Sequence, residues 1–168
     1  MDAARTILEE QGVDGLVMRA VAQKLGIRAP SLYKHLPDKE ALEAAILSDG
    51  FAELAEVFEA AGAGVDEPFA ALAVAYRDWA KAHPHLYRLM FDRPLQRDRL
   101  TPGAEERAAA AVVQAAGGDP DVARAAFAFA HGMMSLELNN RFPPDADLDS
   151  AWAVALDAFT AAARRRIP

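Results

Sequence analysis

The chain has 168 residues, with 18 Lys and Arg against 25 Asp and Glu, giving a formal net charge of −7. It contains no Cys, which excludes disulfides, thiolate metal sites and cysteine catalysis. No apolar run approaches the roughly 18 residues that span a bilayer, and no signal peptide is recognisable, so we expect a cytoplasmic protein without a membrane partner.

The sequence predicts nine helices and no strand, because apolar residues recur at intervals of three and four and β-branched runs are few. We expect an all-α fold with an N-terminal helix-turn-helix head of three helices and a C-terminal helical domain. Beyond the head, the predicted helices cover about 38–61, 66–83, 85–91, 105–116, 120–141 and 148–166. Residues 93–102 are predicted to form an exposed loop.

Residues 18–42 are the most informative segment, since they predict two short helices, a tight turn and the start of a third helix. Gly26 can adopt the left-handed backbone that ends a helix, and Pro30 is tolerated in the first turn of the next one. The residues expected on the buried side are Val21, Ala22, Leu25, Ile27, Leu32 and Leu36. Two helices with such a turn form a helix-turn-helix, whose second helix enters the major groove of DNA. Ser31 and Lys34 would then face the DNA.

Charge supports this interpretation locally. Residues 15–39 carry five basic side chains and only Asp38 as an acid, a net charge of +4 within a chain of −7. Phosphate neutralisation needs cations only on the docking face, while an acidic body suppresses indiscriminate binding to nucleic acid.

Residues 7–47 resemble the DNA-binding domain of the TetR family of bacterial transcriptional regulators. The matching parts are Glu-Gln-Gly at the end of the first helix, residues 19–26, Leu-Tyr-x-His at 32–35 and Asp-Lys-Glu-Ala-Leu at 38–42. The resemblance implies that the phosphate backbone is held by Arg19, Tyr33, His35 and Lys39. It also implies that base edges are faced by Arg28, Ala29, Ser31 and Lys34, with Pro30 setting how the helix enters the groove.

The head departs from the family pattern at two positions. Val17 stands where a Ser or Thr usually caps the second helix, and Arg28 replaces a frequent Ser. A lost hydroxyl cap costs about 0.5–2 kcal/mol unless another group satisfies the free N–H groups. The short N-terminus gives no expectation of a minor-groove arm.

The body resembles the WHG-type C-terminal domain of some TetR-family members, through residues 76–91, His131-Gly132 and residues 135–138. Phe127 stands where that pattern usually has Trp. The resemblance implies that residues 1–47 bind DNA and that residues 48–168 bind a small effector and form the dimer. The last two helices would pair with those of a second copy, and they carry more large apolar side chains than one buried stripe holds. The predicted interface residues are Leu136, Trp152, Leu156 and Phe159.

A set of aromatic, Met and His residues could line an effector pocket, although ordinary core packing explains any one of them as well. The predicted pocket residues are Tyr76, Trp79, His83, Leu86, Met90, Phe127, His131 and Met134.

We therefore expect a DNA-binding transcriptional regulator, by family default a repressor, without a cofactor. It would bind a palindromic operator as a homodimer, and a small molecule would release it from the DNA. One alternative is an effector-binding dimer that does not bind DNA. A small metal protein or enzyme is disfavoured, because no helical metal-ligand motif is present and His131 and Glu137 are about 240° apart around a helix.

Overall fold

The computed structural model describes residues 1–165, and within that range it has nine α-helices, one 3₁₀ turn and no strand. The all-α prediction is confirmed. The helices are α1 (Asp2–Gly15), α2 (Met18–Lys24), α3 (Ala29–Tyr33), α4 (Lys39–Gly62), α5 (Pro68–Ala82), α6 (Pro84–Phe91), α7 (Ala104–Ala115), α8 (Pro120–Leu138) and α9 (Leu148–Arg164). The 3₁₀ turn, Arg97–Arg99, lies in the segment predicted as a loop. No helix in the described range is both long and apolar enough to cross a membrane.

Helix α8 stops at Leu138, three residues before the predicted end, because Asn140 adopts a left-handed φ of 51°. The Arg141 N–H then donates to the Leu136 carbonyl at 2.9 Å and closes the helix end. The predicted end of the last helix, Arg166, lies outside the described residues.

The chain divides into two compact units. Unit 1 contains residues 1–52 and 83–105, and unit 2 contains residues 53–82 and 106–168. Unit 1 is thus larger than the predicted head of residues 1–47, since it includes α6, which packs against α1. Helix α4 begins in unit 1 and ends in unit 2.

The core of unit 1 is formed by apolar side chains from α1, α2, α3, α4 and α6. Its most deeply buried members include Ile7, Leu8, Leu16, Val21, Leu42, Ile46, Leu86 and Tyr87. Helices α4 and α6 meet at Gly50, where an added Cβ would lie 2.8 Å from the Met90 Sδ. The absence of a side chain at position 50 therefore allows the two helices to pack closely.

The start of α6 is held by a carboxylate from α1. Glu9 accepts hydrogen bonds from the backbone N–H groups of His85 at 3.4 Å and Leu86 at 3.3 Å. The His83 Nδ1 lies 3.8 Å from the same carboxylate. Because the first N–H groups of a helix have no intrahelical partner, Glu9 serves as the cap that the side chain of His83, the N-cap residue, does not provide.

Gly12 interrupts α1 at the place where the sequence predicts the first helix to end. Its φ of 71° is in the left-handed region, and an added Cβ would lie 3.3 Å from the His85 Nδ1. Both the backbone conformation and the approach of α6 therefore favour glycine here.

We expect Gly12→Ala to lower the free energy of unfolding by about 1–3 kcal/mol, since it adds left-handed backbone strain and a close contact. Gly26→Ala is the matched control, because Gly26 has a φ of 67° but no atom within 4 Å of an added Cβ. Urea unfolding followed by circular dichroism measures both. Equal losses in the two variants would show that the contact with His85 contributes nothing.

Unit 2 is built on α5, α8 and α9, together with the end of α4 and α7. The predicted apolar stripe of α5 is buried as expected, and it consists of Phe69, Leu72, Ala73, Tyr76, Trp79 and Ala80. Asp119 and Asp147 cap α8 and α9, accepting from the Asp121 N–H at 2.8 Å and the Ser150 N–H at 3.0 Å.

Candidate functional site

Helices α2 and α3 of unit 1 are joined by the turn that the sequence predicts. Gly26 has the left-handed φ of 67°, and the Ile27 N–H donates to the Ala22 carbonyl at 3.0 Å, which closes the C-terminus of α2. Arg28 is the extended N-cap residue of α3, and Pro30 lies in its first turn. Leu32 is buried and fixes α3 to the core, so the remaining side chains of this short helix point away from it.

Most of the residues predicted to contact DNA are exposed on one connected stretch of chain. We call the segment 28–35 the α3 surface. Its exposed members are Arg28, Pro30, Ser31, Tyr33, Lys34 and His35, whereas Ala29 is half-buried. Lys34 and His35 follow the last residue of α3 and lie in a turn. Arg19, on α2, is also exposed. The α3 surface thus presents a guanidinium, an ammonium, two hydroxyl groups and an imidazole, all of which can donate to phosphates or base edges.

Two of the apolar positions predicted for the core of this region were wrong. Leu25 is 50% exposed and Ile27 is 42% exposed. Helix α2 ends at Lys24, so the spacing of its buried residues does not continue through the turn, where the backbone of both residues serves to close the helix. Leu36 is half-buried.

The missing cap at the start of α2 is confirmed. Val17 is the N-cap residue, it makes no side-chain hydrogen bond to the helix, and its side chain is 43% exposed. A valine side chain cannot donate a hydrogen bond to a DNA phosphate. The phosphate contact that a Ser or Thr would make at this position is therefore absent.

Lys39 is held at the start of α4 by neighbours in unit 1. Its Nζ lies 3.4 Å from the Val13 carbonyl and 3.6 Å from the Glu43 carboxylate, which also pairs with Arg93 at 3.0 Å. Lys24, at the end of α2, also pairs with a carboxylate, that of Glu10 at 3.3 Å. These contacts fix the positions of the Lys24 and Lys39 ammonium groups. The role of Lys39 at a phosphate stays a prediction.

Unit 2 contains a partly open apolar cavity of about 40 Å³. Its lining comes from α4, α5, α7, α8 and α9 and consists of Phe58, Phe69, Leu72, Ala73, Tyr76, Val112, Ala126, Phe127, Phe129, Ala130, Trp152, Leu156 and Phe159. A groove of about 560 Å³ in the same unit shares Phe58 and Leu72 with the cavity and carries the ion pair between Arg107 and Glu59 at 2.7 Å.

The predicted pocket residues fall into two groups. Tyr76 and Phe127 line the cavity of unit 2, with their rings 6.2 Å apart. Trp79, His131 and Met134 also belong to unit 2 but do not line the cavity, whereas His83, Leu86 and Met90 belong to unit 1. The ring of His131 stacks on Phe127 at 6.3 Å.

The residues predicted for the dimer interface also divide. Leu136 is 42% exposed, but Trp152 is buried, and Trp152, Leu156 and Phe159 all line the cavity of their own chain. The Phe129 ring packs between two of them, 5.5 Å from Trp152 and 6.0 Å from Phe159. Sequence periodicity showed that α9 has a large apolar face, but not which partner covers that face.

The carboxylate of Glu137, which the sequence analysis rejected as a partner for His131, pairs with two cations. It accepts from Arg77 at 3.0 Å and from Lys81 at 2.6 Å, and Arg77 also binds Asp149 on α9. Burial raises the pKa of Glu137, but the hydrogen bonds from Arg77 and Lys81 outweigh it, so the pKa lies below its usual range. This cluster ties α5, α8 and α9 together.

A pH dependence of stability follows from that lowered pKa. The cluster contributes fully above the unfolded-chain value of about 4.3, and its contribution is lost as the pH falls through the lower folded pKa. We expect Glu137→Gln to cost about 1–3 kcal/mol at pH 7 and less at pH 3.5, because the variant has no carboxylate to protonate. Urea unfolding at the two pH values measures this. An equal cost at both would mean that the contribution of Glu137 does not depend on the ionisation of its carboxylate.

The fold and the α3 surface together define a helix-turn-helix DNA-binding protein. Residues 1–46 match the model for bacterial regulatory proteins of the tetR family, and residues 69–159 match the tetracyclin repressor-like C-terminal domain. The chain belongs to the TetR family and is a DNA-binding transcriptional regulator. The family is one of transcriptional regulators, not enzymes.

Individual relatives agree with this assignment. An uncharacterized HTH-type transcriptional regulator of Mycobacterium tuberculosis is 31% identical over 99% of this chain and 80% of its own length. The class D tetracycline repressor of Escherichia coli is 55% identical over 42 residues, which cover 25% of this chain and 19% of that repressor. A solved structure from Rhodococcus sp. RHA1, of unknown function, is 30% identical with a TM-score of 0.78, and the match covers 95% of this chain and 90% of that one.

Proposed function

We propose that this regulator is a cytoplasmic repressor that binds a palindromic operator as a homodimer and is released by a small-molecule effector. DNA binding is assigned to residues 1–47, and effector binding and dimerisation to residues 48–168. The observation that carries the proposal is the α3 surface, where hydrogen-bond donors of four chemical types are exposed while the buried Leu32 fixes the helix to the core.

Base reading is assigned to the residues at the start of α3 and just after its end. Arg28 and Lys34 are exposed cations with the reach to bind guanine O6 and N7, and the Ser31 hydroxyl can bind any base. Ala29 and Pro30 offer apolar surface to a thymine methyl group. Phosphates are assigned to Arg19, Tyr33, His35 and Lys39, whose contacts would set the register of the helix without selecting sequence.

The dimer interface is assigned to the faces of α8 and α9 that are exposed in the single chain. On α9 the exposed face contains Ala151, Val154, Ala158 and Ala161, and on α8 it contains Ala125, Ala128 and Leu136. These residues are small or aliphatic, and those on α9 recur at intervals of three or four, as in helices that pack closely on a neighbour. Val154 is 73% exposed and is the largest side chain of the α9 face. We accordingly keep Leu136 in the interface and reassign Trp152, Leu156 and Phe159 to the interior of unit 2.

The effector site is assigned to the cavity of unit 2. It retains Tyr76 and Phe127 from the predicted pocket, and it takes in side chains from all five helices of the unit. A ligand that binds there better in one conformation than in another shifts the population toward it. If that conformation binds the operator less well, operator and effector must weaken each other by the same factor. Repression is the direction suggested by the class D tetracycline repressor, which is 55% identical to this chain over 42 residues.

Selection of bound sequences from a random pool of duplexes tests the proposal. We expect the selected sequence to have two-fold symmetry, with half-sites about 34–36 Å apart or a multiple of that distance. Enrichment of a sequence without symmetry would contradict the homodimer, and no enrichment over a pool carried through without protein would contradict sequence-specific binding.

A further inference from the structure

We propose that the effector is a neutral, largely apolar small molecule whose single buried hydrogen-bond acceptor binds the indole N–H of Trp152. The inference rests on the proposed effector function, and it adds the chemical class of the ligand and the residue that recognises it. It also gives Trp152 a role that the sequence did not predict.

The lining of the cavity sets the apolar character of the ligand. All 13 lining residues are aliphatic or aromatic, and none carries a charge. Transfer of a carboxylate or an ammonium group into such a site would be strongly unfavourable without a partner of opposite charge. Arg77, which follows the lining residue Tyr76 in sequence, already pairs with Glu137.

Trp152 carries one of the two polar groups among the lining side chains, and the other is the Tyr76 hydroxyl. The Trp152 side chain is 5% exposed and lines the cavity, and its Nε1 is buried with no hydrogen-bond partner. The other tryptophan of the chain differs, since the Trp79 Nε1 donates to Glu53 at 2.7 Å. Buried indole N–H groups are normally paired, so a ligand that brings an acceptor to Trp152 gains a hydrogen bond without displacing an existing one.

The volume of the cavity indicates how the ligand is accommodated. At about 40 Å³ it is smaller than the roughly 150 Å³ that holds benzene in an engineered protein cavity, so side chains must move when a ring binds. Phe58 and Leu72 line both the cavity and the neighbouring groove of about 560 Å³. Rotation of these two side chains would join the spaces, which gives a ligand both room and a route of access.

Two probes of nearly the same shape test the inference on the full-length protein. Acetophenone carries a carbonyl oxygen, and α-methylstyrene carries a methylene group in its place, so only the first can accept a hydrogen bond. Binding of each is measured by titration, and the two indole N–H resonances are followed by NMR with ¹⁵N-labelled tryptophan. Trp79 is the internal control, because its N–H is already bound.

We expect acetophenone to bind about fivefold more tightly than α-methylstyrene, the ratio that one neutral hydrogen bond supplies. Only acetophenone should move the Trp152 N–H resonance downfield, and the difference in affinity should disappear in Trp152→Phe. If Trp152→Phe does not fold, the shift of the Trp152 N–H resonance in the wild-type protein tests the inference. That resonance is identified as the indole signal that remains in Trp79→Phe.

Equal affinities with no response of the Trp152 resonance would overturn the inference. So would failure of both probes to bind, or a Trp152 N–H that is already as far downfield as that of Trp79 in the free protein. In a separate experiment, acetophenone is added to the complex of the protein with operator DNA, and the release of the DNA is measured. Binding through Trp152 without any release would contradict the proposed effector function and leave the recognition of the acceptor standing.

Discussion

Val154→Asp is expected to convert the homodimer into monomers and to weaken operator binding by about a hundredfold or more. Val154 is 73% exposed in the single chain, so an aspartate there meets solvent and leaves the fold of the protomer intact. In the proposed interface the same carboxylate would be buried opposite its own copy, without a cation nearby. Two linked heads gain on the order of 10²–10⁴ in affinity over one, which sets the size of the loss.

Two controls separate this effect from a general loss of stability. Val74→Asp makes the same change at an exposed valine of α5, which is 61% exposed, and should leave both the dimer and operator binding unchanged. Leu156→Asp lies on α9 but lines the cavity, so it should unfold unit 2 rather than produce folded monomers. Sedimentation equilibrium and circular dichroism distinguish the three variants. A Val154→Asp protein that sediments as a dimer would place the interface elsewhere.

The second large effect is expected at the two exposed cations of the α3 surface. Arg28→Ala and Lys34→Ala should each weaken binding to the selected operator by about 1–3 kcal/mol, roughly five- to 150-fold, and relax the base preference at one position of each half-site. Binding to random duplex should change much less, since non-specific affinity comes from the phosphates.

Lys24→Ala is the matched control for these two variants. Lys24 belongs to the same basic stretch, but its ammonium group is paired with Glu10, so we expect a small effect on either duplex. Lys39→Ala should weaken both duplexes alike and reduce the slope of log affinity against log salt by about one. If Arg28→Ala and Lys34→Ala lowered affinity for selected and random duplex equally, the assignment of these residues to bases would fail.

The residues that end helices made much of the fold predictable. Gly26 and Pro84 carry local backbone signals, and helix ends fall within two residues of them, whereas Gly12 interrupts α1 without ending it. The same local logic failed at Leu25 and Ile27, because a helical spacing holds only as far as the helix extends. The helix-turn-helix was predictable since turn, spacing and charge coincide within about 25 residues.

The packing in the interior of unit 2 was harder to predict from the sequence. The spacing of Trp152, Leu156 and Phe159 shows one apolar face, but a face directed at the same chain and a face directed at a partner have the same spacing. Contacts such as Glu9 with the start of α6 join residues 76 and 77 positions apart, and no local pattern predicts them. Phe58 and Val112 line the cavity without any signal beyond being apolar.

The central claim, a dimer that reads two half-sites through its α3 surfaces, is tested most directly by one set of binding isotherms. The wild-type protein is titrated against the selected duplex, the same duplex with one half-site scrambled, and a random duplex, over a range of salt concentrations. We predict that the intact site binds at least about 10³-fold more tightly than random duplex and that scrambling one half-site removes most of this difference. Equal affinity for all three duplexes at every salt concentration would contradict it.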